Sequence, residues 1–399
     1  MRSARPPRPA RSPLRRHWPL DPKIVFLNHG SFGACPKAVL RHQSALRQEM
    51  EAEPVDFLWR TIDERLSEAR RGLARFLGAR PEDLAFVPNA TTAVNAVVRS
   101  WPLKRGDEIL TTNLDYNACR NVLTEWAGRI GAQVVVAGVP FPLGGPDEIV
   151  ESVLAAVTPR TRFAMLDHVT SNTALVLPVD RLTAELEARG IQVLVDGAHA
   201  PGMVPLDFRR FRPGWFTGNL HKWVCAPKGA AFLWVRPDHQ EDIHPVVVSH
   251  GYNTPRPGYP TWQDRFDWVG TIDPTAWLSV PTALDTVGNM GPGGWSEVRR
   301  HNHKLVVAAR RLLARRLGLT PPCPEKMLGS MATLPLPERF QDRPVTTRIA
   351  AEQTELFQRF GIEVPLVKVG GLRCFRVSAH LHNHLAEYEY LAAAWERIS

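Results

Sequence analysis

An apolar run, Val193-Leu194-Val195, ends in Asp196-Gly197-Ala198-His199, and twenty-six residues beyond that acid a second apolar segment ends in His221-Lys222-Trp223. A lysine among apolar residues has its amine pushed toward the uncharged, nucleophilic form. A carboxylate at a strand end can hold a proton on a heteroaromatic nitrogen. Together they are the two groups required by pyridoxal 5'-phosphate (PLP): an amine to hold the cofactor as an imine, and an acid to keep the pyridine nitrogen protonated so that the ring withdraws electrons from a carbanion. Lys228 competes for the amine role, but Pro227-Lys228-Gly229 reads as a turn.

Further groups cluster around this pair. Asn89-Ala90-Thr91-Thr92 lies between an apolar strand and a helix, where backbone N–H groups and the helix dipole favour a phosphate; a helix cap at Thr91 or Thr92 is the plainer reading. Asn219 and His221 flank the lysine and are expected to reach the same phosphate. His199, three residues beyond Asp196, can face the ring's phenolic oxygen, and Tyr116 can stack on the ring. Asn28 and His29, in the turn Asn28-His29-Gly30-Ser31-Phe32-Gly33, are expected beside the substrate. Arg376 sits inside the apolar strand Cys374-Phe375-Arg376-Val377, and a buried guanidinium calls for a carboxylate such as an amino-acid substrate brings. His380, His382 and His384 alternate, yet no carboxylate or second shell accompanies them and Asn383 reads as a helix cap, so no metal is expected.

Positioning these residues requires a particular scaffold. Short apolar strands at 84–87, 108–112, 133–136, 163–166 and 193–195 alternate with helical patterns at 91–101, 118–130, 147–156 and 179–189. That alternation predicts an α/β fold with a mostly parallel sheet covered on both faces, whose ligand lies at the carboxyl ends of the strands. The candidate residues of that region fall at such ends. A long helix over 36–77, an antiparallel strand at 229–235, an aromatic-rich loop at 245–273, helices over 275–287, 296–317, 347–360 and 384–398, and a strand at 372–378 complete the reading. Three parts result: a disordered basic tail over 1–18, a large domain over 19–275, and linking helices with a small α+β domain over 276–399.

The chain has 399 residues, 44% of them hydrophobic, and no apolar run long enough to span a membrane. Six arginines fall in the first seventeen residues and account for six of the nine net positive charges, so the body is nearly balanced and nucleic acid is not an expected partner. Five scattered cysteines without a CxxC pair predict reduced thiols and a cytoplasmic protein.

The motifs LNHGSFGACP (27–36), FVPNATTAVN (86–95), DHVTSNTALVLPV (167–179), VDGAHAPG (195–202), TGNLHKWVCAPKG (217–229), GTIDPTAW (270–277) and FRVSAHLHN (375–383) together resemble the class V aminotransferase family of fold-type I PLP enzymes, in its isopenicillin N epimerase-like branch. The resemblance implies an aspartate aminotransferase-like fold with a seven-stranded large domain. It further implies that Lys222 carries the cofactor, that Asp196 pairs with its ring nitrogen, and that His199 and Ser171 face its ring oxygen. Ala90, Thr91, Thr92, Asn219 and His221 would bind its phosphate, and Arg376 the substrate carboxylate. Thr271 would reach the phosphate in a neighbouring subunit, implying a homodimer with shared active sites. Asn172 and Asn117 depart from the branch's usual proline and glycine. The related cysteine desulfurases carry a nucleophilic cysteine ahead of the carboxylate-binding arginine; residues 341–352 contain none.

The expected reaction begins with removal of the Cα proton of an amino acid by Lys222. Return of a proton from the opposite face, with His29 or Tyr116 as donor, gives an epimerase. Loss of a sulfur-linked β substituent gives a C–S lyase, and transamination ranks third. A binding or regulatory protein on the same fold is the alternative from another class. Arg256 or Arg265, in the aromatic loop, is expected to meet a second substrate carboxylate.

Overall fold

The computed structural model describes residues 7–254, 256, 258–343 and 349–398. Among the described residues twelve strands are formed: β1 (Val25–Phe26), β2 (Leu84–Val87), β3 (Glu108–Thr112), β4 (Gln133–Ala137), β5 (Thr161–Asp167), β6 (Gln192–Asp196), β7 (Trp215–Asn219), β8 (Ala231–Val235), β9 (Met331–Pro335), β10 (Ile362–Glu363), β11 (Leu366–Val369) and β12 (Leu372–Ser378). Seven of them build the main sheet in the order β2-β8-β7-β6-β5-β3-β4, with β3 to β7 mutually parallel and β8 antiparallel to both of its neighbours. Every residue of β2, β3, β7 and β8 is buried, as expected of strands covered on both faces, whereas the edge strand β4 is largely accessible. Because β8 reverses direction between β2 and β7, the carboxyl ends of β2, β3, β5, β6 and β7 share one edge of the sheet. The expected fold class is therefore the one formed.

The helix expected over 36–77 is broken. It runs Lys37–Ala52, passes through a wide turn at Asp56–Arg60, and resumes at Ile62–Leu77, because Pro54 has no N–H to continue the ladder. The second piece buries Ile62, Leu66, Ala69, Leu73 and Leu77, spaced three and four apart, and Gly78 ends it at φ 60°. The helix expected over 275–287 likewise divides into Thr275–Leu278 and Val280–Gly288, with Pro281 in the first turn of the second.

A second unit comprises the sheet β11-β12-β9 and the helices Gly294–Leu317 and Leu385–Trp395, which pack on each other. Its remaining strand pair is β1 with β10, parallel, so the start of the chain hydrogen-bonds to its last forty residues. Residues 19–33, read from sequence as part of the large domain, thus also belong to this unit. The histidine His384, rather than Asn383, caps the last helix: its ring accepts from Ala386 N, and Glu387 reaches back to the His384 N–H. Asn383 instead donates to Phe26 O at 2.9 Å.

The tail reading fails for residues 7–18. Ser12 Oγ donates to Leu381 O at 2.6 Å, Arg15 Nη2 donates to Ile24 O at 2.9 Å, and Trp18 is 2% exposed, its indole donating to Ala34 O. One aromatic anchor and guanidinium-to-carbonyl bonds order a segment whose composition alone suggests disorder. Residues 1–6 and 344–348, the latter holding the start of the helix expected over 347–360, lie outside the described residues. No helix among the described residues is long and apolar enough to cross a membrane.

Candidate active site

A cavity of about 160 Å³ opens at the shared carboxyl edge, walled by Ser31, Phe32, Asn89, Ala90, Thr91, Tyr116, Asp167, Val169, Ser171, Asp196, Ala198, His199, Asn219, His221 and Lys222. Most of the predicted residues meet here. Asp196 ends β6, Asn219 ends β7, and Lys222 follows in the turn. That turn is held by close backbone approach: Gly33, at φ 69°, lies so near that a Cβ would stand 2.1 Å from His221 O and 2.9 Å from Lys222 Cα. Only glycine fits there.

The Lys222 amine lies 2.9 Å from His199 Nε2. Burial and the cationic Arg376 bring it down to about 8, against the opposing pull of Asp196, Asp167 and Cys119. Lys222 lines the wall and Lys228 does not. Asp196 accepts from Ala198 N at 3.0 Å and from the Cys119 thiol at 3.1 Å, and burial raises its carboxyl above the usual range.

Beside it stands Asp167, which the sequence reading missed. It ends β5 in register with Asp196, is 3% exposed, and its Oδ1 has no hydrogen-bond partner among the described residues. Burial, then Asp196, hold its carboxyl well above the ordinary value. Two adjacent buried acids and a partly buried lysine suit a cationic nitrogen heterocycle, whose charge would restore their ionisation.

Phosphate contacts are only partly as expected. Asn89 caps the helix Ala90–Ser100, accepting from both Thr92 N and Thr92 Oγ1, so Thr92 turns away from the cavity while Thr91 lines it. Ala90 N donates to Asn219 Oδ1 at 2.9 Å, so these two expected contacts engage each other. His221 donates through Nδ1 to Ala230 O; burial and the flanking Lys222 and Lys228 bring it to about 4, a depression that an anion in the cavity would reverse. The helix start and these groups fit a phosphate.

Arg376, 3% exposed, donates to Ser171 O at 2.5 Å and to Ser31 Oγ at 3.1 Å, with Asn28 Oδ1 at 3.4 Å and no hydrogen bond to Nε. Among the described residues no carboxylate pairs with it, and burial lowers it to about 10. Ser171 therefore orients the arginine. So does Asn28, through the hydroxyl of Ser31, which donates to it at 2.6 Å.

His29 is a correction. It is fully buried behind the lysine, not beside the substrate: its Nε2 is 3.0 Å from Lys222 O and its Nδ1 is 3.1 Å from His382 Nε2. His29, Cys225 and His380 bring ligand atoms within 4.8 Å of one another. A carbonyl only accepts, so the His29 nitrogen that would face an ion carries the proton donated to Lys222 O. The turn LNHG gave no sign that this side chain points inward. Arg256 is also corrected: it is held by Asp63, Asp264 and Asp267, while Arg265 donates to the carbonyls of Glu241 and Ile243. Thr271 is exposed and outside this chain's cavity.

Comparison with known proteins shows the family and the fold. A family profile described as aminotransferase class-V matches residues 33–388. Isopenicillin N epimerase of Streptomyces clavuligerus is 36% identical over 393 residues, covering 95% of this chain and 96% of that protein. A putative L-cysteine desulfhydrase of Oryza sativa subsp. japonica is 33% identical, covering 86% of this chain and 73% of that one. Among solved structures, a C-DES variant with glycine covalently linked to its PLP cofactor superposes with a TM-score of 0.82 at 21% identity, covering 96% of this chain and 99% of the other.

Proposed function

Since the chain belongs to the class-V aminotransferase family, we propose that it is a PLP-dependent enzyme acting at the α-carbon of an amino acid, with epimerisation as its reaction. The observation that carries this reading is a lysine brought to about 8 in the cavity wall, with a buried arginine held directly behind that wall by Ser171 and Ser31 and paired with no carboxylate among the described residues. When bound, PLP supplies the electron sink for a carbanion at Cα. Arg376 binds the substrate carboxylate and sets the orientation of the Cα–H bond. Lys222, uncharged, takes the Cα proton. Asp196, oriented by the hydrogen bonds from Cys119 and Ala198, would hold a proton at the ring nitrogen. His199 and Ser171 would face the ring oxygen of the bound cofactor, and Ala90, Thr91, Asn219 and His221 would hold its phosphate. Epimerisation requires a donor on the other face; with His29 facing Lys222 O, Tyr116, which lines the cavity and is 46% exposed, takes that role.

A C–S lyase acting on a cysteine derivative is the second reading, supported by the desulfhydrase relative. It needs the same base and no second donor. The position of Thr271 suits a homodimer in which that residue completes the neighbouring site, and exposed Phe32, Trp59 and Tyr252 offer apolar surface to a second copy. The five unpaired cysteines fit a reducing cytoplasm.

The test is incubation of the PLP-loaded protein in heavy water with amino acids and cysteine conjugates, following Cα deuteration, chirality and pyruvate by NMR. Deuteration with inversion and no pyruvate, lost in Lys222→Ala, is the expected result. Pyruvate with a released thiol would make it a lyase, and absence of exchange with every compound would return it to the binding-protein class.

A further inference from the structure

His199 is the only group within hydrogen-bonding distance of the Lys222 amine among the described residues, and its opposite nitrogen is also engaged: Trp223 Nε1 donates to His199 Nδ1 at 3.2 Å. Indole nitrogen is a donor only. His199 Nδ1 must therefore be unprotonated. Burial, with Lys222, Arg376 and His221 nearby, holds the imidazole well below its ordinary value, so it is neutral and carries a single proton. That proton is on Nε2, directed at the lysine 2.9 Å away. An N–H facing an ammonium would oppose donor to donor; facing a free amine it finds a lone pair.

We propose that Trp223 is a positioning residue: by donating to His199 Nδ1 it fixes the Nε2–H tautomer and so favours the uncharged, hydrogen-bond-accepting form of the Lys222 amine over the ammonium. The proposal deepens the reading of Lys222 as the cofactor lysine and rests on it. Its geometry is rigid. Trp223 and His199 are buried, and Gly202, at φ 84°, packs so closely on the backbone that a Cβ would stand 2.8 Å from Trp223 C and O. Other charges act on the amine too: Arg376 favours its neutral form, whereas Asp196, Asp167 and Cys119 favour its charged form. With two carboxyls and a thiol pulling toward the ammonium, a directed N–H from His199 opposes them at contact distance. Adjacency explains why one short segment carries both groups: Lys222 and Trp223 meet the two nitrogens of one imidazole.

The experiment labels the cofactor-free full chain with acetic anhydride across a pH series and reads modification of each lysine by mass spectrometry. Lys222 is expected to titrate near about 8 in the natural chain. In Trp223→Phe the imidazole is free to turn its proton to Nδ1 and accept from an ammonium, so the Lys222 midpoint should rise by about one unit, a tenfold smaller neutral fraction at neutral pH. The exposed Lys104, away from the site, should label alike in both, separating this effect from general loosening. If Trp223→Phe does not fold, benzothienylalanine at position 223 keeps the ring's volume without its N–H and should give the same rise. An unchanged midpoint in either folded variant overturns the proposal. Protection of Lys222 by added PLP in the natural chain tests the underlying reading separately: labelling unaffected by PLP would sink that reading, whatever Trp223→Phe does.

Discussion

Replacing Arg376 by methionine should make the ligand-free protein more stable and the enzyme far worse at recognising amino acids. The guanidinium lies at about 10, well below its ordinary value, because burial penalises its charge. A depression of that size corresponds to roughly 3 kcal/mol. The sign follows from its being a base with a depressed folded value: below pH 10 both folded and unfolded chains are protonated and the penalty is fully present, and it fades only as pH rises through 10 toward the ordinary arginine value. Methionine removes the charge while keeping the apolar stem. Against this, Ser171 O and Ser31 Oγ lose their donor, about 1 kcal/mol each. The expected net gain is therefore about 1 kcal/mol, read from urea unfolding of the cofactor-free chain at neutral pH. For a substrate carboxylate, losing a buried charged partner costs about 2–5 kcal/mol, or roughly thirtyfold to several thousandfold in kcat/KM. The assay compares each amino acid with its carboxamide: the natural enzyme should prefer the acid by such a factor, and Arg376→Met should not discriminate. A variant that still prefers the carboxylate, or one destabilised by several kcal/mol, would refute the argument.

Capture of PLP by the cofactor-free chain should accelerate tenfold per pH unit up to about 8 and then level, because only the neutral Lys222 amine adds to an aldehyde; growth of visible absorbance at fixed PLP measures it. Asp167 has a raised folded value, so its contribution favours folding at low pH and is lost as pH rises above the ordinary carboxyl range; Asp167→Asn should flatten the fall in urea midpoint between pH 5 and 8 and raise neutral-pH stability by about 1–3 kcal/mol. Trp18→Ala should cost about 3 kcal/mol in the same unfolding assay, whereas a disordered tail would predict no change.

The sheet and its ligand edge were legible because buried strands read as apolar runs, and the residue that ends such a run is forced to the edge. Asp196 and Lys222 were found on that signal. Asp167 follows Phe163-Ala164-Met165-Leu166 and carries the same signal, which needed only to be applied twice. Arg376 was legible as a charge within an apolar strand. Periodicity overrode Pro54 and Pro281, whose missing N–H groups break two of the expected helices. His384 with Glu387 three residues on was a readable capping box, obscured by the alternating histidines. The tautomer of His199 and the inward turn of His29 depend on which ring nitrogen meets which partner, and no spacing along the chain encodes that.

The pairing of Val25 with Ile362 spans 337 positions, and it bears on the order in which the molecule can be made. A chain emerging from the ribosome can close most of the main sheet once β8 is out, well before β10 exists. Until then the segment that carries Asn28, Ser31 and Gly33 has no strand to dock on, and the Lys222 turn has no Gly33 packed against it. Assembly of the site is thereby deferred to the end of synthesis. A nascent chain stopped after β8 would present a nearly complete sheet and still lack a finished seat for its lysine.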